Sequence, residues 1–445
     1  MSGIVLGLSR YVLCIFSAFF TFHCFLVPGP GERGEKGVTI FQAFFLMIIH
    51  IISFSVLYFR TGDPECLYFC ALQEVMIVGY LVLMRVLYPG CSSLLINNML
   101  FFLAVGLILL YRLSPENHMR QFVIAVSALV LSLPIPYLVK KIKEPWKYTY
   151  GFGLSGLILI FFVLIVGRVT RGSRLSLSIA GVSFQPSEFA KVLFILFLAG
   201  VFSEDCFFGD TRKDKELRLI NIFAGGLFAM AYIVIMVLTK DLGGAAIFFV
   251  IFVMMLYLAV KKIYVPILAF LLGGAGLAIC YKVFPHVRNR FLAWTDPFSY
   301  IEGQGYQITQ SLFAIGTGSW FGMGLYEGSP EKIPIVERDF IFSAIAEEMG
   351  CIFALCFILI CISAFLVMIN AAMKKKDPYY RMVALGISVC YAFQVFLNIG
   401  GVTKVIPLTG VTLPLTSYGG SSLLTTVVMF AMIQGILICS EPGKN

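Results

Sequence analysis

The sequence predicts an all-α polytopic membrane protein, on three observations. The 445-residue chain is 59% apolar, 15% aromatic and only 13% charged, with a mean hydropathy of +0.93, which leaves too little polar surface for a water-soluble fold. Apolar stretches able to cross ~30 Å of hydrocarbon at ~20 residues each recur from end to end, and helices satisfy their own backbone there. The net charge of +9 is gathered mostly in alternate short connections.

Thirteen spans are expected near 8–28, 39–59, 67–88, 95–112, 120–139, 149–167, 186–203, 219–239, 242–260, 263–284, 340–369, 382–402 and 417–439. The N-terminal apolar stretch 11–27 is preceded only by Arg10 and followed by no small-residue cleavage site, so it is expected to remain as a helix and not be removed as a signal peptide. Lys140, Lys141, Lys143 and Lys147, then Arg212, Lys213, Lys215 and Arg218, then Lys261 and Lys262, then Lys374, Lys375, Lys376 and Arg381 mark cytoplasmic loops by the positive-inside rule. The connections 113–119, 168–185, 240–241, 285–339 and 403–416 then face outward. Basic residues divided among membrane-adjacent loops set topology and meet anionic lipids; they make no nucleic-acid surface.

The twelve cysteines fall mainly within apolar spans and form no CxxC, and Cys66 and Cys91 are expected on opposite faces, which excludes a disulfide between them. With four scattered histidines, there is no transition-metal site to argue for.

Ionisable groups at membrane depth are expensive and mark function by default. Asp339 stands at the lip of the apolar run Asp339–Gly350, with Glu347 and Glu348 about two turns deeper, at ~1.5 Å per residue. The long 285–339 connection is expected to be ordered. Tyr306, Ile308, Leu312, Phe313 and Ile315 predict a short helix along the outer membrane surface, followed by a glycine-rich stretch over 316–324. Its mixed charges suit a phosphate-bearing substrate, or a solvated cap over the bundle.

A second constellation is Gln185–Lys191. Pro186 fits a first helical turn that Gln185 or Ser187 can cap, and Glu188 and Lys191, three apart, share a face and can pair. Such a pair either fixes two helices together or lines a polar cavity. Upstream, Arg168, Arg171 and Arg174 crowd a loop expected outside, where either a diphosphate or lipid headgroups would meet them. The third constellation, Asn398–Ser422, contains Lys404, Ser417 and Ser421 and is interrupted by Pro407, Gly410 and Pro414. Non-helical backbone at this depth must be buried in protein or line a polar cavity, and Gly419 and Gly420 admit a close helix approach.

The segments QPSEFAK (185–191), KDLGGA (240–245), RFLAWTDPF (290–298), GYQITQSLFAIGTGSWFGMGL (305–325), DFIFSAIAEEMG (339–350) and LTGVTLPLTSYGGSS (408–422) resemble, in order and spacing, the SEDS proteins of bacterial shape, elongation, division and sporulation, of RodA/FtsW/SpoVE type. The resemblance runs from about residue 95 to the C-terminus. It implies a core of ten membrane helices over 95–445, with 285–339 as the large external loop between the seventh and eighth of them, preceded by about three extra helices over 1–94.

It also implies a peptidoglycan glycosyltransferase that polymerises lipid II outside the cytoplasmic membrane, in complex with a monofunctional (class B) penicillin-binding transpeptidase. The family's catalytic carboxylate maps onto Asp339, and its conserved Glu and Lys onto Glu188 and Lys191. Glu337-Arg338 stand where the family has His-Thr, Lys240 where it has Pro, and Leu175 where it has Trp. On this reading Asp339 accepts the proton of a glycan hydroxyl. Lys191, Arg290 or the 168–174 arginines stabilise the departing diphosphate, alone or with a divalent cation such as Mg or Mn. Gln185, Ser187, Glu188, Lys191, Arg174, Arg290, Lys404, Ser417 and Ser421 form the expected substrate-binding set. A lipid II flippase or transporter, and a non-catalytic scaffold for a transpeptidase, are the other classes compatible with broken, charged spans.

Overall fold

A computed structural model gives the fold and describes residues 2–27, 35–142, 144–166, 168–170, 173–179, 182–203 and 212–439. Helices dominate: α1 (Ser2–Leu26), α2 (Glu35–Thr61), α3 (Glu65–Leu87), α4 (Ser93–Leu113), α5 (Pro115–Ser132), α6 (Ile135–Lys141) and α7 (Thr149–Val166). After a small sheet come α8 (Pro186–Phe202), α9 (Arg212–Leu238), α10 (Leu242–Val260), α11 (Tyr264–Val283), α12 (Pro285–Thr295) and α13 (Tyr306–Gly318). α14 (Ile341–Ala344), α15 (Gly350–Lys374), α16 (Pro378–Val402) and α17 (Gly420–Ile438) close the chain.

Twelve helical segments among the described residues are long and apolar enough to cross a membrane. They coincide with twelve of the thirteen expected spans; the remaining one, 186–203, is α8, of 17 residues. The 168–185 connection, expected as a loop, carries β1 (Arg168–Thr170), β2 (Ser173–Ile179) and β3 (Val182–Phe184), antiparallel in that order. The physical reason is readable in β2, where Leu175, Leu177 and Ile179 alternate with Ser176 and Ser178, the period of two that makes a strand. The 120–139 span is also interrupted. Pro134 has no N–H to continue the helical ladder, and Tyr88 Oη donates to the Leu133 carbonyl at 2.6 Å.

The chain groups into two compact units: Met1–Leu133, Leu292–Val367 and Asn398–Gly419 form the first, and Pro134–Phe291, Met368–Leu397 and Gly420–Asn445 the second. In the first, α4 is buried at every position from Leu94 to Leu110, as a helix that is apolar all round must be. The amide nitrogens of its two asparagines find neighbours: Asn97 Nδ2 donates to Thr39 O at 2.9 Å and Gln42 Oε1 at 2.8 Å, and Asn98 Nδ2 to Ser363 Oγ at 3.2 Å, while Asn97 Oδ1 is buried with no hydrogen bond.

The span expected as one helix over 340–369 is broken. α14 runs into a π-helical turn, Ile345–Met349, and α15 begins at Gly350 with φ +91° and ψ 167°. Backbone groups freed at such depth must find partners inside the protein, and the 319–324 segment supplies them. Met323 N donates to Glu347 O at 2.8 Å and Gly324 N to Glu348 O at 2.9 Å, while Cys351 N and Ile352 N donate to Ser319 O and Trp320 O at 2.9 and 3.1 Å. The two backbones come so close that a Cβ on Gly322 would lie 2.3 Å from Glu348 O, and one on Gly350 would lie 2.3 Å from Gly322 N.

Gly350→Ala is expected to destabilise by about 1–3 kcal/mol or more, because its backbone conformation is essentially restricted to glycine. Thermal unfolding in detergent measures this, and an unchanged midpoint would contradict the docked break.

Candidate active site

The first unit holds Asp339. The 285–339 connection is ordered by α12, α13 and a 3-10 turn at Pro330–Lys332, and ends in a turn at Asp339, just before Phe340 caps α14. Asp339 is half-buried and Phe340 is buried. Successive carbonyls of this turn are held by the third constellation: Tyr418 N donates to Glu337 O at 2.8 Å, Ser417 Oγ to Arg338 O, and Asn398 Nδ2 to Asp339 O at 2.9 Å. The Arg338 guanidinium stands over the Tyr418 ring, 5.3 Å from its centroid.

Glu347 and Glu348 are engaged elsewhere. Arg112 Nε meets Glu348 Oε1 at 3.1 Å, and its Nη2 meets Glu331 Oε2 at 2.9 Å and Gly328 O at 3.4 Å. The same guanidinium lies over the Tyr326 ring, and Glu347 Oε1 accepts from Ser329 N at 2.9 Å. Both acids therefore pin the 326–331 stretch of the loop. Lys404, half-buried with φ +62°, accepts Trp294 Nε1 on its carbonyl at 3.1 Å.

The second unit holds Glu188 and Lys191. Pro186 is the first residue of α8 and Gln185 its N-cap, but no side chain caps it, contrary to the expectation for Gln185 or Ser187. Instead Gln185 N donates to Ser421 Oγ at 2.9 Å, which joins this turn to the start of α17; Ser187 is half-buried in the same turn. Lys191 Nζ lies 2.8 Å from Glu188 Oε2, both side chains being buried. Gln394 Oε1 accepts from Lys191 at 3.1 Å, and Thr425 Oγ1 donates to Glu188 at 3.4 Å. The pair thus ties α8 to α16 and α17 through polar contacts.

Asp241, in the turn before α10, accepts from Gly244 N at 2.8 Å and so caps that helix. Burial pushes its carboxyl above the ordinary carboxylate range, with Glu188 adding to this and the Gly244 amide, Arg290 and Lys191 opposing it. His286 is pushed below the ordinary imidazole value by burial, Arg290 and Lys240, so near neutral pH it is no cation for phosphate. Arg290 is half-buried on α12. Arg168 lies on β1, and Arg174 on β2 opposite Val169. The side chains of Arg168 and Arg174, and all of Arg171, lie outside the described residues.

The structure thus brings Gln185, Ser187, Glu188, Lys191 and Ser421 together in one unit, and Asp339 and Ser417 in the other. Asn398, Gln394, Thr425, Asp241 and Arg112 were not among the expected site residues. The available signal was amides inside an apolar helix: Gln394 and Asn398 are one turn apart on α16. Among the described residues no three His, Cys, Asp or Glu side chains are grouped to hold a metal ion.

Fold and site together define a multi-pass helical membrane protein in which an ordered loop ends in a clamped turn that carries Asp339. Residues 92–440 match the profile of the FtsW/RodA/SpoVE family, described as cell cycle proteins, and the chain belongs to this family. It is 30% identical over 370 residues to the peptidoglycan glycosyltransferase RodA of Mycobacterium tuberculosis, covering 78% of each chain. It is 32% identical over 335 residues to a probable peptidoglycan glycosyltransferase FtsW of Aliivibrio salmonicida, covering 71% of this chain and 80% of that one. A chain from a solved peptidoglycan synthase complex, described for its coordination of polymerization and crosslinking, superposes with a TM-score of 0.62 at 25% identity, covering 78% of this chain and 98% of that chain. The rod shape determining protein RodA of Thermus thermophilus shares the fold, with a TM-score of 0.57 at 22% identity over 78% of this chain and 97% of that chain.

Removing one partner of a buried ion pair strands the other charge, at a cost of about 3–5 kcal/mol, whereas removing both is far milder. Lys191→Met is therefore expected to lower the thermal midpoint sharply, and Glu188→Gln in the same chain to restore most of it. Equal midpoints for single and double variants would show that the pair is not coupled.

Proposed function

We propose that this protein is a peptidoglycan glycosyltransferase that polymerises lipid II into β-1,4 glycan strands, with Asp339 as its general base. The observation that carries this is the Asp339 turn, whose backbone is fixed carbonyl by carbonyl while its carboxylate ends an ordered loop. Relatives named peptidoglycan glycosyltransferases, at 30% and 32% identity, support the reaction class.

A sugar 4-hydroxyl is a poor nucleophile near neutral pH. A carboxylate within hydrogen-bond reach accepts its proton as the oxygen attacks the anomeric carbon of the donor, an effect of about 10²–10⁴-fold. The bond to undecaprenyl diphosphate breaks in the same displacement, and this leaving group departs as an anion needing charge stabilisation more than a proton. Arg290 and Arg174 supply positive charge for that step and Gln185, Ser187 and Lys404 bind the substrate's polar groups, while the buried Glu188 and Lys191 pair holds the helix that begins just after Gln185. Ser417 donates its hydroxyl to Arg338 O and Ser421 Oγ accepts from Gln185 N, and so both act by shaping these turns. One displacement turns an α-linked donor into a β-linked product, so the enzyme inverts and needs no second carboxylate as nucleophile.

The protein is a multi-pass membrane protein. The distribution of its basic connections supports a working face directed outward on the bacterial cytoplasmic membrane, among membrane lipids. Its partner is a monofunctional class B penicillin-binding transpeptidase, a reading supported by the similarity to a chain of a peptidoglycan synthase complex. Residues 95–445 form the catalytic membrane domain and 1–94 an N-terminal addition of helices, in keeping with a family match that begins at residue 92.

In purified complex with its partner, the wild type should polymerise lipid II. Asp339→Asn should lower that rate at least about 100-fold with an unchanged thermal midpoint. Full polymerisation by the variant would overturn the assignment; lipid II translocation across liposomes by a wild type that never makes glycan would favour a flippase.

A further inference from the structure

We propose that Asn398 is a positioning residue for this reaction, setting the carboxylate of Asp339 through its backbone, with Ser417 as the second anchor. The proposal rests on Asp339 being the base.

Asn398 is buried near the end of α16, where the helix gives way to the non-helical 403–419 segment. Its Nδ2 donates to Asp339 O at 2.9 Å and to Val411 O at 2.8 Å. Both partners are carbonyls, so only the NH2 of the amide can face them, and the side chain has one admissible orientation. Its Oδ1 is buried with no hydrogen bond, so the amide is held by its donors alone. One side chain therefore joins the Asp339 peptide to the backbone of the broken segment.

Ser417 closes the other side. Its hydroxyl donates to Arg338 O and accepts from Leu413 N at 2.9 Å, which uses both roles of a single oxygen on the backbone. Behind it, Gln121 on α5 donates to Ser417 O at 3.3 Å and accepts from Gly419 N at 3.4 Å. Asn398, Ser417 and Gln121 are 2%, 3% and 1% exposed, so water does not compete for these bonds. They form a buried brace running from α5, through the broken segment, to the peptides on either side of the Asp339 Cα.

An aspartate carboxylate stands only two carbons from its backbone, so its position copies the backbone closely. A general base must lie within hydrogen-bond reach of the hydroxyl it deprotonates, and a misplacement of about 1 Å can cost about 100-fold in rate. A brace on the carbonyls of residues 338 and 339 therefore acts on turnover. It leaves ground-state binding of lipid II, assigned to other residues, untouched.

The test uses the full chain in complex with its partner transpeptidase. Asn398→Asp keeps the shape of the side chain but, when ionised, turns an acceptor toward two carbonyls; Asn398→Ala removes the link. Rates against lipid II concentration and thermal midpoints are measured for both. The expected result is a kcat lowered by about 10- to 100-fold with KM within about twofold of wild type. Ser417→Ala, a smaller change, should move kcat in the same direction and serves as the readout if Asn398→Ala does not fold.

Wild-type kcat in the folded Asn398→Asp protein, or losses that only track the folded fraction, would overturn the proposal. Asp339→Asn distinguishes the two levels of the argument. If it is inactive while the Asn398 variants keep full kcat, positioning fails and the base stands; if it is fully active, the base assignment itself fails.

Discussion

The structure depends on one constraint: backbone N–H and C=O groups at membrane depth must be paired inside the protein. Among the described residues of its first unit, the chain leaves helical geometry at the π turn with Gly350 and over the 403–419 segment. Each is closed by backbone and side-chain hydrogen bonds inside the protein. The 319–324 segment closes the first, and Asn398, Ser417 and Gln121 close the second. Asp339 belongs to the short turn that leads into the first break and is held by the second. The site is therefore a product of the way these breaks are repaired, and its rigidity comes from buried hydrogen bonds in surroundings where water cannot substitute for them.

The same accounting explains the buried charges. Glu348 is tolerated because Arg112 pairs with it, and Arg112 extends to Glu331 and Gly328, so a depth-dependent necessity also fastens the loop. The N-terminal helices, which lie outside the family match, act on the same stretch. Arg10 Nη1 donates to Gly322 O at 3.3 Å, Tyr11 packs on Phe321 with ring centroids 4.9 Å apart, Cys14 Sγ reaches Met349 O at 3.5 Å, and Arg60 pairs with Glu327. The added helices thus brace the loop that ends at Asp339. In the second unit Glu188 and Lys191 neutralise each other between Gln394 and Thr425.

Much of this was legible in the sequence, because spans, acids and charged loops are properties of composition and spacing. The apolar runs, Asp339, and the Glu188 and Lys191 pair at three residues' separation could be read directly. The broken helix at Gly350 could not, since the sequence on either side of Ile345–Met349 is as apolar as an unbroken span and only the 319–324 segment, distant in sequence, pairs the freed backbone groups. The β ribbon was readable in principle from the alternation in Ser173–Ile179. The role of Gln121 depends on a pairing with Ser417, 296 positions away, and that of Asn398 on one with Asp339, 59 positions away, which no local pattern encodes.

The most direct test of the repaired breaks is hydrogen–deuterium exchange on the full chain in a lipid bilayer mimic. The account predicts that the amides of Met323, Gly324, Cys351, Ile352 and Tyr418 exchange as slowly as those in the middle of α4. Exchange at the rate of an open loop, over 319–324 or at Tyr418, would contradict it.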